Sequence, residues 1–84
     1  MSFTAEIEVE NAAVKRVHLK GRLDSSTAPA FEQSMQSLLS DLPELTVFQM
    51  SALDYISSAG LRVIFMVQKA ARSDGKKTAF VGLT

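Results

Sequence analysis

The sequence predicts one α/β domain, residues 1–84, in which two helices pack on one face of a mixed β-sheet. Three observations lead to this prediction: apolar and polar residues alternate near the N-terminus, an apolar stripe at helical spacing follows, and a β-rich run precedes a second helix. The predicted order is β-β-α-β-α-β. Strand–helix–strand units of this size favour parallel strands joined by right-handed crossovers, which this order would use twice.

The first two strands are predicted from a period of two. Residues 3, 5, 7 and 9 are apolar and alternate with polar residues, so one strand face is apolar. Residues 10–12 are typical of a turn. Beyond it Val17 and Leu19 point one way, while Arg16, His18 and Lys20 point the other. Two strands with so short a connection indicate an antiparallel hairpin.

The first helix is predicted from its cap and its stripe. Residues 25–27 offer hydroxyl oxygens for an N-cap, and Pro29 would fall in the first turn, where its missing N–H costs nothing. The apolar stripe consists of Phe31, Met35, Leu38 and Leu42. Pro43 should end this helix. Residues 45–50 are apolar and rich in β-formers, which indicates a buried strand.

The second helix is expected to run from about Ser58 to Ser73, with Gly75 just beyond its end. It is apolar around nearly its whole circumference, which indicates either burial on several sides or a binding surface. The side carrying Val63, Met66 and Val67 is therefore expected to be exposed or to be covered by further structure or a second copy. Residues 78–81 are the last predicted strand.

Composition excludes several classes of function. Nine basic and nine acidic residues give no net charge, whereas nucleic-acid binding normally needs a basic excess. The chain has no Cys and one His, so neither a disulfide framework nor a metal site is expected, and no cofactor is predicted. No signal peptide is recognisable, and no run approaches the roughly 20 apolar residues of a membrane span. We expect a cytoplasmic protein without a membrane partner.

The chemically informative segment is residues 54–61, which join a strand to the second helix. Ser57 and Ser58 lie where the N-cap belongs. A phosphoryl group there would add about −1.5 to −2 charges, which the helix N-terminus tolerates and a partner packed on that surface would not. Two interpretations stay open at this point: a phosphorylation switch, or a pair of ordinary capping serines.

Two motifs resemble the STAS domain family, which includes the anti-sigma-factor antagonists of bacterial partner switching. Residues 21–24 (GRLD) with Thr27 form the first motif, and residues 53–64 (LDYISSAGLRVI) form the more specific second one. The resemblance implies that Ser58 is the phosphorylated serine. Ser57 is the second choice, since the best-known members often carry Asp before the modified serine.

The resemblance also implies a mechanism and partners. The unphosphorylated protein would bind an anti-sigma factor that is also a serine kinase with an ATP-binding fold, thereby freeing the client in transcription regulation. Phosphorylation would dissociate the complex, and a PP2C-type phosphatase would reset it. The implied partner-binding residues are Asp24, Ser25, Ser26, Thr27, Ser57, Ser58, Ala59, Gly60, Arg62, Val63 and Met66.

The resemblance leaves several local questions open. Asp24 would orient the Ser58 hydroxyl, cap a backbone N–H, or simply form a turn before the first helix. Gly60 is expected to leave the first turn of the second helix sterically open, and Arg62 is placed to contact a phosphate on Ser58. Family members usually continue with another helix, so a C-terminal helix is expected to be missing or truncated. The flank exposed in this way would favour a homodimer.

Two other functions are alternatives to the switch. A hydrolase would need Ser58, His18 and Asp24 as nucleophile, base and orienting acid. His18 is predicted to face solvent and no G-x-S-x-G elbow is present, so no enzyme activity is expected. The other rival is a STAS domain that is never phosphorylated and serves as a fixed scaffold in a signalling or transporter-associated assembly.

Overall fold

The computed structural model describes residues 3–82. The elements follow one another as β1 (Phe3–Val9), β2 (Val14–Leu23), α1 (Ala28–Leu39), β3 (Leu45–Ile56), α2 (Ser58–Ser73) and β4 (Lys77–Val81). The strands lie in the sheet in the order β1-β2-β3-β4. The β1–β2 pair is antiparallel, and the β2–β3 and β3–β4 pairs are parallel. The predicted α/β class, element order and mixed sheet are thereby confirmed.

Both helices pack on the same face of the sheet. The core joins Val17 and Leu19 of β2 and Phe48 of β3 to apolar side chains of both helices, and all three strand residues are at most 1% exposed. The predicted alternation of β2 is confirmed, because His18 and Lys20 are exposed while Val17 and Leu19 are buried. The sheet face without helices carries the polar side chains of β1 and β2.

Helix α1 buries three of the four residues of its predicted stripe, Phe31, Met35 and Leu38. The helix ends at Leu39, one turn before Pro43, so the prediction that Pro43 itself ends it is wrong. Leu42 lies beyond the helix and is partly buried against the core. The first turn contains Pro29 as predicted, since an N–H at that position has no helical acceptor.

Strand β3 is about twice as long as the sequence predicts. It continues from Met50 to Ile56 because it stays paired with β2 as far as Leu23, and it holds two extra residues relative to β2 along the way. His18 pairs with Gln49 and Lys20 with Ala52, and the register shifts again between Gly21 and Arg22. Such bulges turn the side chains that follow them. As a result Leu53 and Ile56 pack on the core while Tyr55 is exposed.

Helix α2 has the predicted bounds, Ser58–Ser73, and Gly75 follows its end with a φ of 71°. Its buried residues are Gly60, Val63, Ile64, Val67 and Ala71. The expectation that Val63 and Val67 would be exposed is wrong: they are 4% and 0% exposed. The sheet and α1 cover this side. The prediction that a C-terminal helix is missing or truncated concerns the chain after residue 82 and so falls outside the described residues.

Candidate functional site

The candidate site lies at the edge of the sheet where the parallel strands β2 and β3 both end. The carboxyl ends of parallel strands meet at one edge, so the loop after β2 and the start of α2 become neighbours. The Ser57 N–H donates to the Leu23 carbonyl oxygen at 2.8 Å, which ties the two chain segments together. The two motifs of the sequence, some thirty residues apart, therefore form one local surface.

Ser57 is the N-cap of α2. Its backbone is extended, with φ −95° and ψ 171°, and its Oγ accepts a hydrogen bond from the Gly60 N–H at 3.3 Å. Its carbonyl oxygen accepts from the Leu61 N–H at 3.0 Å. An N-cap hydroxyl satisfies one of the helix donors that have no partner in the helix. The Ser57 hydroxyl thus has a structural role.

Ser58 is the first residue of α2 and is exposed. Within residues 3–82 its Oγ makes no hydrogen bond. The hydroxyl lies at the positive end of the helix macrodipole, next to backbone N–H groups of the first turn. A negatively charged group on this oxygen would be stabilised by the helix itself.

The loop between β2 and α1 is organised by Asp24. Its Oδ1 accepts hydrogen bonds from the Ser26 N–H at 2.9 Å, the Ser26 hydroxyl at 2.6 Å and the Thr27 N–H at 3.2 Å. Thr27 is the N-cap residue of α1, but its own side chain makes no cap bond. Its Oγ1 instead accepts from the Asp24 N–H at 2.9 Å and donates to the Arg22 carbonyl.

Asp24 is therefore a turn-forming residue that caps neighbouring N–H groups. These hydrogen bonds, above all the one from the Ser26 side chain, lower the pKa of the Asp24 carboxyl from its ordinary 3.8 to about 2. Among the described residues, none of its hydrogen bonds reaches Ser58, so the structure supports the turn and capping alternatives for Asp24. A fixed negative charge nevertheless stands on this surface at neutral pH.

Arg22 and Tyr55 belong to the same surface and were not singled out from the sequence. The Arg22 Nε donates to Asp24 Oδ2 at 3.1 Å, and its guanidinium lies 4.0 Å from the centroid of the Tyr55 ring. The Tyr55 side chain is 43% exposed. Arg and Tyr are enriched at the energetic centres of protein interfaces. Their presence in the two motifs was the available signal, but only the register of β2 with β3 brings them together.

Gly60 is buried rather than open to solvent. A Cβ built on it would lie 2.5 Å from Leu23 Cγ and 2.8 Å from Leu23 Cδ2. The expectation that Gly60 leaves the first turn sterically open is therefore wrong, because the Leu23 side chain occupies that space. Gly60 lets α2 approach the end of β2 closely, and in this way it positions Ser58.

The predicted partner-binding residues divide by exposure. Gly60 and Val63 are buried, so their side-chain positions offer no contact surface. Of the remaining residues on the predicted surface, Ser25, Ser26, Ser58 and Arg62 are exposed, and Asp24, Thr27, Ser57, Ala59 and Met66 are half-buried. Two exposed apolar side chains of α2 were missed, Leu61 at 37% and Phe65 at 56%. An all-round apolar pattern could not show which side would face outward.

His18 lies on the helix-free face of the sheet and is exposed, as predicted. Its Nε2 is 2.7 Å from Glu8 Oε1, a partner on the neighbouring strand β1. Within residues 3–82 it makes no hydrogen bond to Ser58 or Asp24. No group of three or more potential metal-ligating side chains occurs in this part of the chain, and none of its helices is long and apolar enough to cross a membrane.

Comparison with known proteins gives a family and several similar structures. The family model described as Mlab, STAS domain, matches residues 8–84. An anti-sigma factor antagonist from Mycobacterium paratuberculosis is 32% identical with a TM-score of 0.79, over 94% of this chain and 64% of that one. No curated protein matches.

Two further structures resemble the fold at low identity. SpoIIAA, an anti-sigma factor antagonist, in its unphosphorylated form has a TM-score of 0.81 at 11% identity, over 96% of this chain and 74% of that one. The phosphorylated form of the Bacillus cell fate determinant SpoIIAA has a TM-score of 0.74 at 12% identity, over 89% and 68%. At these identities the likeness establishes the shared fold.

Proposed function

The chain belongs to the STAS domain family, and on that premise we propose that it is an anti-sigma-factor antagonist whose binding is switched by phosphorylation of Ser58. STAS domains are non-enzymatic binding domains, which sets the hydrolase hypothesis aside. The function is then decided by what the domain binds and by what changes that binding.

One observation carries the proposal. Two adjacent serines begin α2, and they differ in what their hydroxyls do: Ser57 Oγ is committed to the Gly60 N–H, while Ser58 is exposed and uncommitted within the described residues. A kinase needs an accessible hydroxyl, and the Ser57 hydroxyl belongs to a half-buried residue and already accepts a hydrogen bond from the backbone. This difference supports Ser58 as the modified residue, with Ser57 as its structural neighbour.

The proposed switch acts on the partner rather than on the fold. The phosphoryl group adds about −1.5 to −2 charges at the helix N-terminus, where the protein itself stabilises an anion. A protein packed over Ser58 would have to desolvate this charge, which is costly unless a cation compensates it. Binding is therefore lost while the STAS domain stays folded.

The proposed partners follow from this cycle. Unphosphorylated protein binds an anti-sigma factor that is also a serine kinase with an ATP-binding fold, and the bound client is released. The kinase transfers the γ-phosphoryl group of ATP to Ser58 Oγ, whose proton is lost, and ADP leaves. A PP2C-type phosphatase hydrolyses the phosphoserine and restores the binding form. The proposal includes a cytoplasmic location in a bacterium, where the kinase finds its ATP.

Phosphopeptide mass spectrometry of protein purified from its native host tests the proposal directly, and a phosphate on Ser58 is expected. With the partner in hand, Ser58→Ala should bind constitutively and Ser58→Asp should not. Ser37→Asp, an equal charge change at an exposed serine of α1, should bind like wild type. An unmodified Ser58 that also stays unmodified in host lysate with ATP would reject the switch.

A fixed-scaffold function is the second candidate, and one specific observation favours it. The Phe65 and Leu61 side chains are exposed on α2, and exposed apolar side chains close together are typical of a lasting interface. A scaffold subunit would copurify with its assembly in a stable ratio, and it would bind equally well as Ser58→Ala and Ser58→Asp.

A further inference from the structure

The charges of α2 set its outer face apart from the rest of the molecule. Arg62, Lys69 and Arg72 are its charged residues, all three exposed, and the helix holds no acidic residue. Four of the nine basic side chains in the sequence pair with carboxylates elsewhere, namely Lys15, Arg16, Arg22 and Lys76. Within residues 3–82, none of the three α2 bases has such a partner.

The same face also carries apolar surface. At about 100° per residue, six residues of α2 fall within an arc of roughly 100°, namely Ser58, Leu61, Arg62, Phe65, Lys69 and Arg72. We call these six residues the outer face of α2. An open groove of about 620 Å³ runs beside its C-terminal half, lined by Phe65, Gln68, Lys69, Arg72 and Ser73. The exposed Phe65 shares this face with three positive charges, although the chain has no net charge. Such a face is complementary to an acidic surface with an apolar centre.

We propose that the outer face of α2 docks the Ser58 kinase through an acidic, apolar-centred patch on that kinase. This inference rests on the proposed function and adds the chemistry of the partner and the residues that hold it. Phe65 supplies the apolar anchor, and Lys69 and Arg72 supply the charge, two to four turns away from the hydroxyl that reacts. Opposite charges across an interface steer the encounter and fix its register.

The proposal also gives the phosphate a second effect. Ser58 lies at the N-terminal end of the outer face, which has three positive charges before modification. A phosphoserine would cancel about half or more of that charge. Arg62 follows Ser58 by four residues, the spacing at which side chains of a helix meet, so it would pair with the phosphate and be withdrawn from the kinase. Product release then follows from the same charges that bring the kinase in.

The test uses the full chain with clarified lysate of the native host and radiolabelled ATP, and it measures the rate of Ser58 phosphorylation against protein concentration. Three substitutions, Lys69→Glu, Arg72→Glu and Phe65→Ser, are each expected to raise KM roughly tenfold or more. The maximal rate at a fixed amount of lysate should stay within about twofold, because these residues bind the kinase without touching the hydroxyl. Added salt should raise KM for wild type and have less effect on Lys69→Glu.

Lys20→Glu and Lys77→Glu are the matched controls. Both are exposed lysines outside α2 that have no ion pair in the described part of the chain, and both should keep the wild-type KM. Circular dichroism melting checks that each variant is folded. Phosphorylation of Ser58 with an unchanged KM in all three α2 variants would overturn the docking proposal and leave the proposed function standing. Absence of any Ser58 phosphorylation in wild type would overturn both.

Discussion

Two adjacent serines show how neighbouring identical side chains receive different roles. Ser57 has extended backbone angles and turns its Oγ back to the Gly60 N–H, whereas Ser58 has entered the helix and points its hydroxyl outward. The sequence left the choice between them open, because both fit the N-cap region. The difference is one of hydrogen bonding, which depends on where α2 begins relative to Leu23. Burial of Gly60 against that leucine fixes the start.

Asp24 gives a prediction for the dependence of stability on pH. Hydrogen bonds, first of all from the Ser26 side chain, hold its pKa near 2 in the folded protein, below the ordinary 3.8. Between these two values the unfolded chain binds more protons, so stability rises with pH there. The contribution of Asp24 is complete above the ordinary pKa and is lost as the pH falls through about 2. Asp24→Asn should remove this contribution from the pH dependence of unfolding.

An NMR titration of the Asp24 carboxyl provides the measurement and its control. Ser26→Ala should raise the pKa of Asp24 toward its ordinary value, because the largest single cause of the shift is removed. Ser25→Ala should leave that pKa unchanged, since Ser25 is exposed and makes no hydrogen bond to Asp24 in residues 3–82. A wild-type pKa near 3.8 would contradict the hydrogen-bonded arrangement of this loop.

At the scale of elements, the spacing of apolar residues predicted where the regular helices and strands lie. The bounds of α2, the alternation of β2 and that of residues 3–8 in β1 were confirmed, whereas Val9 at the end of β1 is exposed. The second half of β3 was missed because two inserted residues break its alternation, so residues 51–56 read as a loop. The prediction of which side of α2 is exposed was also wrong. A helix apolar all round shows no direction, and only packing against the sheet and α1 decides that Phe65, rather than Val63, faces outward.

The two ends of α2 each depend on a glycine, for different physical reasons. At the start, Gly60→Ala would place a methyl group 2.5 Å from Leu23 Cγ, and overpacking of this kind costs about 1–3 kcal/mol. At the end, Gly75 has a φ of 71° with nothing within 4 Å of an added Cβ, so Gly75→Ala costs about 1 kcal/mol from backbone conformation alone. Urea unfolding of both variants measures these losses.

A second substitution separates the two mechanisms. Leu23→Ala removes both Cγ and Cδ2, the two Leu23 atoms that Gly60→Ala would strike, so the double variant should lose less stability than the sum of the two single variants. The same Leu23→Ala change should simply add to the effect of Gly75→Ala, because the two sites share no contact. Equal additivity in both pairs would mean that Gly60 does not position α2 against Leu23.

At the scale of the whole molecule, the distribution of charge restricts which surface can form the predicted homodimer. A two-fold contact between outer faces of α2 would set three unpaired bases against three others, which is unfavourable. Edge strand β1 carries Glu6 and Glu8, whereas edge strand β4 carries Lys77 as its one charge and ends at the exposed Val81. We therefore predict that the protein forms a homodimer through β4. Sedimentation equilibrium should detect a dimer that Val81→Lys weakens; a monomer at every concentration would contradict it.

We expect that the switch operates without any loss of stability in the STAS domain. Ser58 is exposed at the positive end of α2, so Ser58→Asp should leave the free energy of unfolding unchanged or raise it by up to about 1 kcal/mol. Ser73→Asp, the same change at the exposed negative end of the same helix, should lower that energy by a similar amount. Thermal and urea unfolding measure both.

If Ser58→Asp instead lost more than about 1 kcal/mol, the helix dipole argument would fail, because an anion at this position should gain from the helix. The phosphate would then act by loosening α2, and partner release would be a consequence of local unfolding. If the Ser58→Asp variant is stable but no longer binds its partner, the partner responds to the charge on the surface and not to unfolding of α2. In that case negative charge at Ser58 is sufficient without a change of fold, since the core beneath α2 already presents Ser58, Arg62 and Phe65 on one face.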